Sequence, residues 1–433
     1  MNFVLTSRQE YAYTRIKQGA NVFITGPGGV GKSVLVNRIR EDLGEDTLFM
    51  APTGVAALNI QGVTIHRQFG LPLGFISKSR AKQANEKLIE LLKDKETITR
   101  IVIDEISMVR ADAFTAVNEM CKKARKSRKP FGGLQVVLVG DFYQLPPVLN
   151  NRSTEYSAFM QEYKSVYAFS TESWIEGGFE TIHLDEVLRT DDKDFIMLLQ
   201  SIRQKDNNYK TALDAINSFC YDNYDNTEED AIVLSTTNAI ADKINEVNLK
   251  DLTSSSKIIY ADKTGDVKIE PAPTKLELKE GARIMMLANN YEEGFMNGQL
   301  GYIVGFSGDK IQVLIDGHNC PIPVSKFKWD ENEYQIVNEK LNLKTVGSFK
   351  QFPIRLAYAI TIHKAQGVSL ASAHINIGNG AFTHGQTYVA LSRLRAMKSM
   401  NLMSKLAYKD IIVDEEVIKF YKQNKTANLL DFD

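Results

Sequence analysis

The sequence predicts an α/β fold divided into two domains, each built on a parallel sheet. Three observations carry this expectation. Short, β-branched apolar runs recur as NVFITG, TLFMAPTG, RIVIDEIS and LQVVLVGD, and later as AIVLSTTN and AHINIG. Each ends in a polar or glycine-rich turn and most lead into a helical pattern, the alternation that parallel sheets produce. At 433 residues the chain exceeds what a single hydrophobic core usually holds. A polar stretch rich in Asn, Asp and Tyr, Asp206 to Asp230, separates a motif-dense first half from a second block. The join is placed slightly upstream, near Trp174 to Phe179, which gives a first domain over 1–175 and a second over 176–433.

The first run, NVFIT, is followed by Gly26-Pro-Gly-Gly-Val-Gly-Lys-Ser33 and then by SVLVNRIREDL, where Val34, Leu35, Ile39 and Leu43 recur at helical spacing. Strand, glycine loop and helix in that order form a P-loop, and the context makes the motif specific. Gly26, Gly28, Gly29 and Gly31 let backbone N–H groups turn inward around phosphates. Lys32 then reaches the β and γ oxygens, the Ser33 hydroxyl suits magnesium, and the helix amino terminus adds its dipole. The implied cofactors are ATP and Mg2+.

The third run, Ile101-Val-Ile103, delivers Asp104 and Glu105 to a strand end, expected beside the P-loop. Asp104 suits magnesium and Glu105 suits deprotonating an attacking water, since phosphoryl transfer needs an in-line nucleophile and charge stabilisation. The fourth run, Leu134 to Gly140, ends in Asp141-Phe-Tyr-Gln-Leu-Pro-Pro147, which makes Gln144 a candidate sensor of the γ-phosphate. From Asp262 to Lys350 the pattern shifts to short strands broken by turn dipeptides, with Asn297-Gly298 and Asp316-Gly317 read as hairpin turns. This reads as a small β-barrel inserted at 265–350.

Composition sets the boundaries of function. The formal net charge is -1, so any grip on a polyanion must be local. Three scattered cysteines, Cys121, Cys220 and Cys320, suggest neither a zinc site nor a disulfide framework. The first residues lack the apolar stretch of a signal peptide and no run reaches membrane-spanning length, so the expected setting is cytoplasmic or nucleoid-associated, without a membrane partner.

DEIS at Asp104 to Ser107, PFGGLQ at Pro130 to Gln135 and GDFYQLPP at Gly140 to Pro147 together resemble the Pif (petite integration frequency) family of DNA helicases within superfamily one. The resemblance covers nearly the whole chain. It implies two RecA-like domains, with a small wedge insertion at about 71–97 in the first and an SH3-like β-barrel insertion in the second. Phe75 or Ile76 is expected at the wedge tip. Gln9 resembles the family's adenine-reading glutamine. Leu184-Asp-Glu-Val-Leu-Arg189 and Tyr388-Val-Ala-Leu-Ser-Arg393 resemble motifs in which the second domain supplies two arginines, here Arg189 and Arg393, to the γ-phosphate. An arginine delivered in this way stabilises transition-state charge only when the motor closes on its nucleotide.

The resemblance also assigns the track. Ala51 to Ala57 and Gly62 to Phe69 resemble first-domain DNA motifs, with Pro52, Thr53, Thr64 and His66 as candidates. Thr361-Ile-His-Lys-Ala-Gln-Gly367 resembles the second-domain counterpart, with Thr361, His363 and Lys364 facing DNA and Gln366 and Gly367 facing the nucleotide. Hydroxyls, imidazoles and amides suit phosphate contacts that ignore sequence, although a lone Thr or His near a strand end is as often a cap or a core group. The run Lys122 to Lys129 reads as a solvated helix face and is left out of the site.

The implied activity is ATP-driven, 5′-to-3′ translocation on single-stranded DNA and unwinding at single-strand/duplex junctions by a monomer. Replication, repair, recombination and telomere maintenance are the implied settings, with G-quadruplexes and RNA–DNA hybrids left open as substrates. Two alternatives stand beside this reading: an RNA or protein-remodelling motor on the same engine, and a nucleotide-dependent clamp that does not hydrolyse.

Overall fold

The computed structural model describes residues 5–72, 74–149, 153–188, 190, 192–222 and 231–424. They form two compact units.

Unit 1 is built on six strands, β1 Val22–Thr25, β2 Thr47–Ala51, β3 Val63–Thr64, β4 Arg100–Ile103, β5 Gln135–Val139 and β6 Glu180–His183. Their order is β3-β2-β4-β5-β1-β6 and every pairing is parallel. All residues of β1, β2 and β4 are buried, which is why these strands read as unbroken apolar runs: a parallel sheet covered on both faces has no solvent side to alternate toward. Helices Ser7–Lys17, Lys32–Leu43 and Ala111–Ala124 accompany the sheet.

The boundary of unit 1 differs from the expected cut at 175. β6 pairs with β1 along its whole length, and Trp174 is 7% exposed, edge-on to Phe23 at 5.2 Å and beside Phe142 and Phe420. The expected join therefore falls inside an aromatic core. The unit runs on to residue 188 and is completed by two distant pieces, 332–345 and 414–424. The first is the tip of a hairpin, held where the Tyr334 N–H donates to Gln68 Oε1 at 2.9 Å and the Phe49 N–H donates to the Tyr334 hydroxyl at 3.3 Å. Arg67, almost wholly buried, pairs there with Glu333 at 3.2 Å. The second piece contributes the helix Glu415–Gln423.

The insertion at 71–97 is two short helices, Lys78–Ala81 and Glu86–Leu92. Ile76 is no tip. It is fully buried, its N–H donates to Asp112 at 3.0 Å and its carbonyl accepts from the Tyr163 hydroxyl at 3.0 Å. Phe75 lies edge-on to Phe159 and Tyr163, so both residues anchor the insertion to its own domain.

Unit 2 carries a four-stranded parallel sheet in the order Ala359–Thr361, Ile232–Ser235, Ala373–Asn376, Met400–Leu402. The β insertion is wider than expected and runs from Lys257 to Leu356 in antiparallel sheets of five, three and two strands. Asn297-Gly298 forms a turn closed by Gln299 N–H to the Met296 carbonyl, and Asp316-Gly317 one closed by His318 N–H to the Ile315 carbonyl. Each sits within a longer connection, and neither is a two-residue hairpin loop. The tight hairpins use Gly308-Asp309 and Asn338-Glu339 instead; Asn338 and Glu339 both have positive φ, at 51° and 62°, as a turn matched to strand twist demands.

Candidate nucleotide site and nucleic-acid interface

The P-loop of unit 1 is shaped by what surrounds it. A Cβ at Gly26 would lie 2.2 Å from the Leu184 carbonyl oxygen, and one at Gly31 2.5 Å from Gln9 Nε2. Gly31 also caps the helix Lys32–Leu43 in the left-handed conformation, at φ 77°. Gln9 is 1% exposed: Nε2 donates to the carbonyls of Val30 at 3.0 Å and Gly31 at 3.3 Å, while Oε1 accepts from the Thr6 N–H at 2.9 Å. It is thus a fixed part of the loop's wall. Lys32 Nζ donates to the carbonyls of Gly26 at 2.7 Å and Pro27 at 2.9 Å, which keeps the ammonium over its own loop, and Ser33 is exposed.

Asp104 and Glu105 follow β4, which is separated from β1 by β5; the carboxylates are therefore not on the strand next to the P-loop. They still feel it. Burial, then the charge of Glu105, push the Asp104 carboxyl up to about 7, and Lys32 pulls in the opposite direction. Glu105 sits at φ 51°, ψ 46°, a conformation that costs a non-glycine residue energy and tends to persist where function demands it. The intervening β5 delivers the loop containing Gln144. Gln144 is 6% exposed and lies 3.5 Å from the buried carboxylate of Asp141.

Sequence reasoning missed one buried residue of this site. Tyr421 is 7% exposed, and its hydroxyl lies 2.7 Å from Thr25 Oγ1 and accepts from the Phe142 N–H at 3.1 Å. Its ring stacks on Tyr143 at 4.6 Å and 7°. It thereby ties the last residue of β1 to the Asp141–Gln144 loop. The only sequence signal was the i, i+3, i+4 spacing of Val417, Phe420 and Tyr421, the buried face of a short terminal helix.

Arg189 lies outside the described residues. Its motif does not sit with unit 2 as expected: the Leu184 N–H donates to the Thr25 carbonyl at 2.7 Å and the Leu188 N–H to the Gly29 carbonyl at 2.9 Å, so residues 184–188 run against the P-loop itself. Arg393, in unit 2, is 2% exposed. Its guanidinium donates to the carbonyls of Val389 at 2.8 Å and of Ala365 and Val368 at 3.4 Å. It holds the Thr361–Gly367 segment, and Gly367 within that segment has φ 80° with open space where a side chain would stand.

The candidate DNA-contacting threonines share one geometry. Thr53 accepts from the Ala56 N–H at 3.2 Å, Thr64 from Arg67 at 3.3 Å and Thr361 from Lys364 at 3.3 Å. Thr53 and Thr64 are half-buried helix caps, for which capping and phosphate contact are compatible, whereas Thr361 precedes a turn and is 4% exposed. Pro52 is half-buried. Burial lowers the pKa of both His66 and His363, which favours neutral imidazoles as donors; the Lys364 side chain reaches solvent, but partial desolvation where it meets its own domain, then the charge of Arg355, lowers its pKa. The PFGGLQ segment is structural: the Phe131 N–H donates to Asn118 at 2.7 Å, and Gln135 Nε2 donates to the carbonyls of Ile16 and Ala20 at 2.7 Å.

Two neighbouring carboxylates and an exposed hydroxyl offer the oxygen ligands that a hard divalent cation takes, while Lys32 suits the phosphates it would accompany. Among the described residues no three His, Cys, Asp or Glu side chains converge, so the fit is to an ion that keeps water and phosphate oxygens as ligands, as magnesium does.

An anion cradle backed by paired carboxylates at the carboxyl edge of a parallel sheet is the working half of a P-loop nucleoside triphosphatase, and a second parallel-sheet unit places the chain among two-domain RecA-like motors. Comparison with known proteins narrows the class. A family model described as PIF1-like helicase matches residues 4–218. The ATP-dependent DNA helicase Pif1 of Bdellovibrio bacteriovorus is 30% identical over 97% of this chain and 92% of its own length, and that of Campylobacter jejuni 31% identical over 94% and 96%. Bacteroides sp Pif1 in complex with ADP-AlF4 superimposes with a TM-score of 0.87 at 30% identity, covering 98% of this chain and 99% of that one. Bacteroides Pif1 bound to ssDNA matches with a TM-score of 0.71, covering 98% and 97%. The chain belongs to the PIF1-like helicase family.

Proposed function

We propose that this chain unwinds DNA at the expense of ATP, moving 5′-to-3′ along a single strand and opening single-strand/duplex junctions. The chain is an ATP-dependent DNA helicase. The observation that supports the assignment is the coupling of Asp104 to Glu105 and to the P-loop's Lys32, in a chain collinear with named helicases. Ser33 and Asp104 are the residues that would hold Mg2+, which when bound neutralises phosphate charge. Lys32 binds the phosphates, Glu105 takes the proton of the attacking water and Gln144 reads the γ-phosphate. Arg189 and Arg393 are assigned to the charge that builds on the transferred group. Thr53, Thr64, Thr361 and Lys364 donate to backbone phosphates, with His66 and His363 as neutral donors, so grip is independent of base sequence.

Within this reading the protein acts inside the cell as a monomer in replication, repair, recombination or telomere maintenance, and G-quadruplexes and RNA–DNA hybrids extend its substrates. Among the described residues no helix is long and apolar enough to cross a membrane. The test is ATP turnover with single-stranded DNA, RNA or no polymer. DNA is expected to stimulate most, and Lys32→Ala and Glu105→Gln to abolish the stimulated rate in folded protein. Preferential stimulation by RNA, or unchanged turnover in either variant, would overturn the assignment.

A further inference from the structure

The helix Ala111–Ala124 begins just after the Asp104–Glu105 pair and runs back along the sheet for about 21 Å at 1.5 Å per residue. Its far end is pinned by Arg125, whose guanidinium donates to the carbonyls of Ile98 and Lys95, both at 3.1 Å. At that end, where the insertion at 71–97 meets the helix, lies an open groove of about 510 Å³. Lys82, Lys122, Lys123, Lys126 and Arg128 line it, and Glu119 is the carboxylate among them. Glu119, Lys122, Lys123 and Lys126 follow one another at i, i+3, i+4 and i+7, so the groove continues a single helix face. Glu119 is neutralised by Lys122, which also reaches Glu176 at 2.6 Å. Lys82, Lys123, Lys126 and Arg128 are exposed and make no ion pair among the described residues. In a chain of net charge -1 this is a strong local concentration of positive charge.

A second observation concerns Lys126 alone. The helix ends in a Schellman motif, with Lys126 N–H to the Lys123 carbonyl and Ser127 N–H to the Lys122 carbonyl. Lys126 occupies the left-handed position at φ 47°, where glycine is the residue the backbone favours. Lys164 and Lys205 end other helices in the same conformation, so the turn fixes where the Lys126 side chain leaves the backbone, beside Lys123 and Arg128 at the groove. No aromatic side chain lines the groove, whereas surfaces that hold single strands interleave cations with stacking rings. Cations alone suit a ligand that presents phosphates and keeps its bases paired.

We propose that this groove binds the phosphate backbone of duplex DNA, as a contact separate from the strand-gripping residues. The proposal rests on the helicase reading only for the choice of DNA as the polyanion. It is tested with the full chain and a Lys123→Ala/Lys126→Gly/Arg128→Ala variant, titrated against a blunt duplex, a 5′-tailed duplex and the tail oligonucleotide alone across a salt series. Affinity for both duplexes is expected to fall at least about tenfold near 0.1 M salt, and the log–log salt slope by about 2 to 3, one unit per lost phosphate contact. Binding of the oligonucleotide and the ATP turnover it stimulates are expected to stay unchanged. Lys126→Gly by itself is expected to raise the melting temperature while weakening duplex binding, a pairing that a merely structural lysine does not give. Unchanged duplex affinity and slope would make the run a solvated face; an equal loss on the oligonucleotide would make the groove part of the single-strand track. Stronger displacement by polyglutamate than by duplex of equal charge would assign it to an acidic protein. Each of these three outcomes overturns the proposal. Absence of DNA-stimulated turnover in the unaltered chain would sink the helicase reading instead, without touching the duplex titration.

Discussion

Replacing Tyr421 by Phe isolates one hydroxyl in the interior of unit 1. The ring is expected to keep its stack on Tyr143 and its contact with Phe420, so no cavity opens. What is lost is the acceptor for the buried Phe142 N–H at 3.1 Å, the partner of Thr25 Oγ1 at 2.7 Å and a long hydrogen bond to Asp141 Oδ1 at 3.5 Å. Leaving a buried polar group without its partner costs about 1–3 kcal/mol, and with the two shorter bonds carrying most of the effect the expected loss is about 2 kcal/mol. For a domain of this size that corresponds to a melting shift of about 4–8 °C. The chain has two tryptophans, and Trp174 lies in the same aromatic cluster while Trp329 belongs to unit 2. Urea unfolding followed by tryptophan fluorescence in a Trp329→Phe background therefore reports unit 1 alone. A destabilisation under about 0.5 kcal/mol would mean the hydroxyl does not hold the nucleotide loops together, and the role given to the terminal helix would fail.

Three further outcomes are expected. The Asp104 carboxyl sits at about 7 against its usual 3.8, so its contribution to stability is complete below its unfolded value and is lost as the pH rises through 7; metal-free protein should lose stability between about pH 4 and 7, and Asp104→Asn should flatten that slope in denaturant titrations. Thr53→Asp and Thr64→Asp keep a good helix cap, so stability should change by less than about 0.5 kcal/mol, while each added negative charge should weaken single-strand affinity severalfold in anisotropy titrations; unchanged affinity removes that threonine from the track. Gly26→Ala should abolish nucleotide binding by calorimetry, because its Cβ would stand 2.2 Å from the Leu184 carbonyl oxygen.

Strands buried on both faces were legible because a short, continuous run of β-branched apolar residues between turn signals suits a covered parallel strand and little else, and all six anticipated strands are present. Those left unread are short or at sheet edges: Val63–Thr64 has two residues, and Glu180–His183 is polar enough to pass for a linker. The domain boundary failed for the same reason, since pairing of a strand and docking of a terminal helix join residues far apart in sequence. The P-loop and its carboxylates were legible from local spacing. Tyr421, 396 positions from its partner Thr25, was not. The capping roles of Thr53, Thr64 and Thr361 lay in the sequence as polar residues before short helices or turns, and only backbone geometry shows which N–H each hydroxyl oxygen accepts.

The central claim is that ATP turnover at this P-loop drives directed movement along one strand of DNA. It is met most directly by strand separation on partial duplexes bearing a 5′ or a 3′ tail, with and without ATP, using the unaltered chain and Lys32→Ala. Unwinding from the 5′ tail alone, dependent on ATP and lost in Lys32→Ala, is the expected result. Separation that proceeds without ATP, survives in Lys32→Ala, or starts only from the 3′ tail would contradict it.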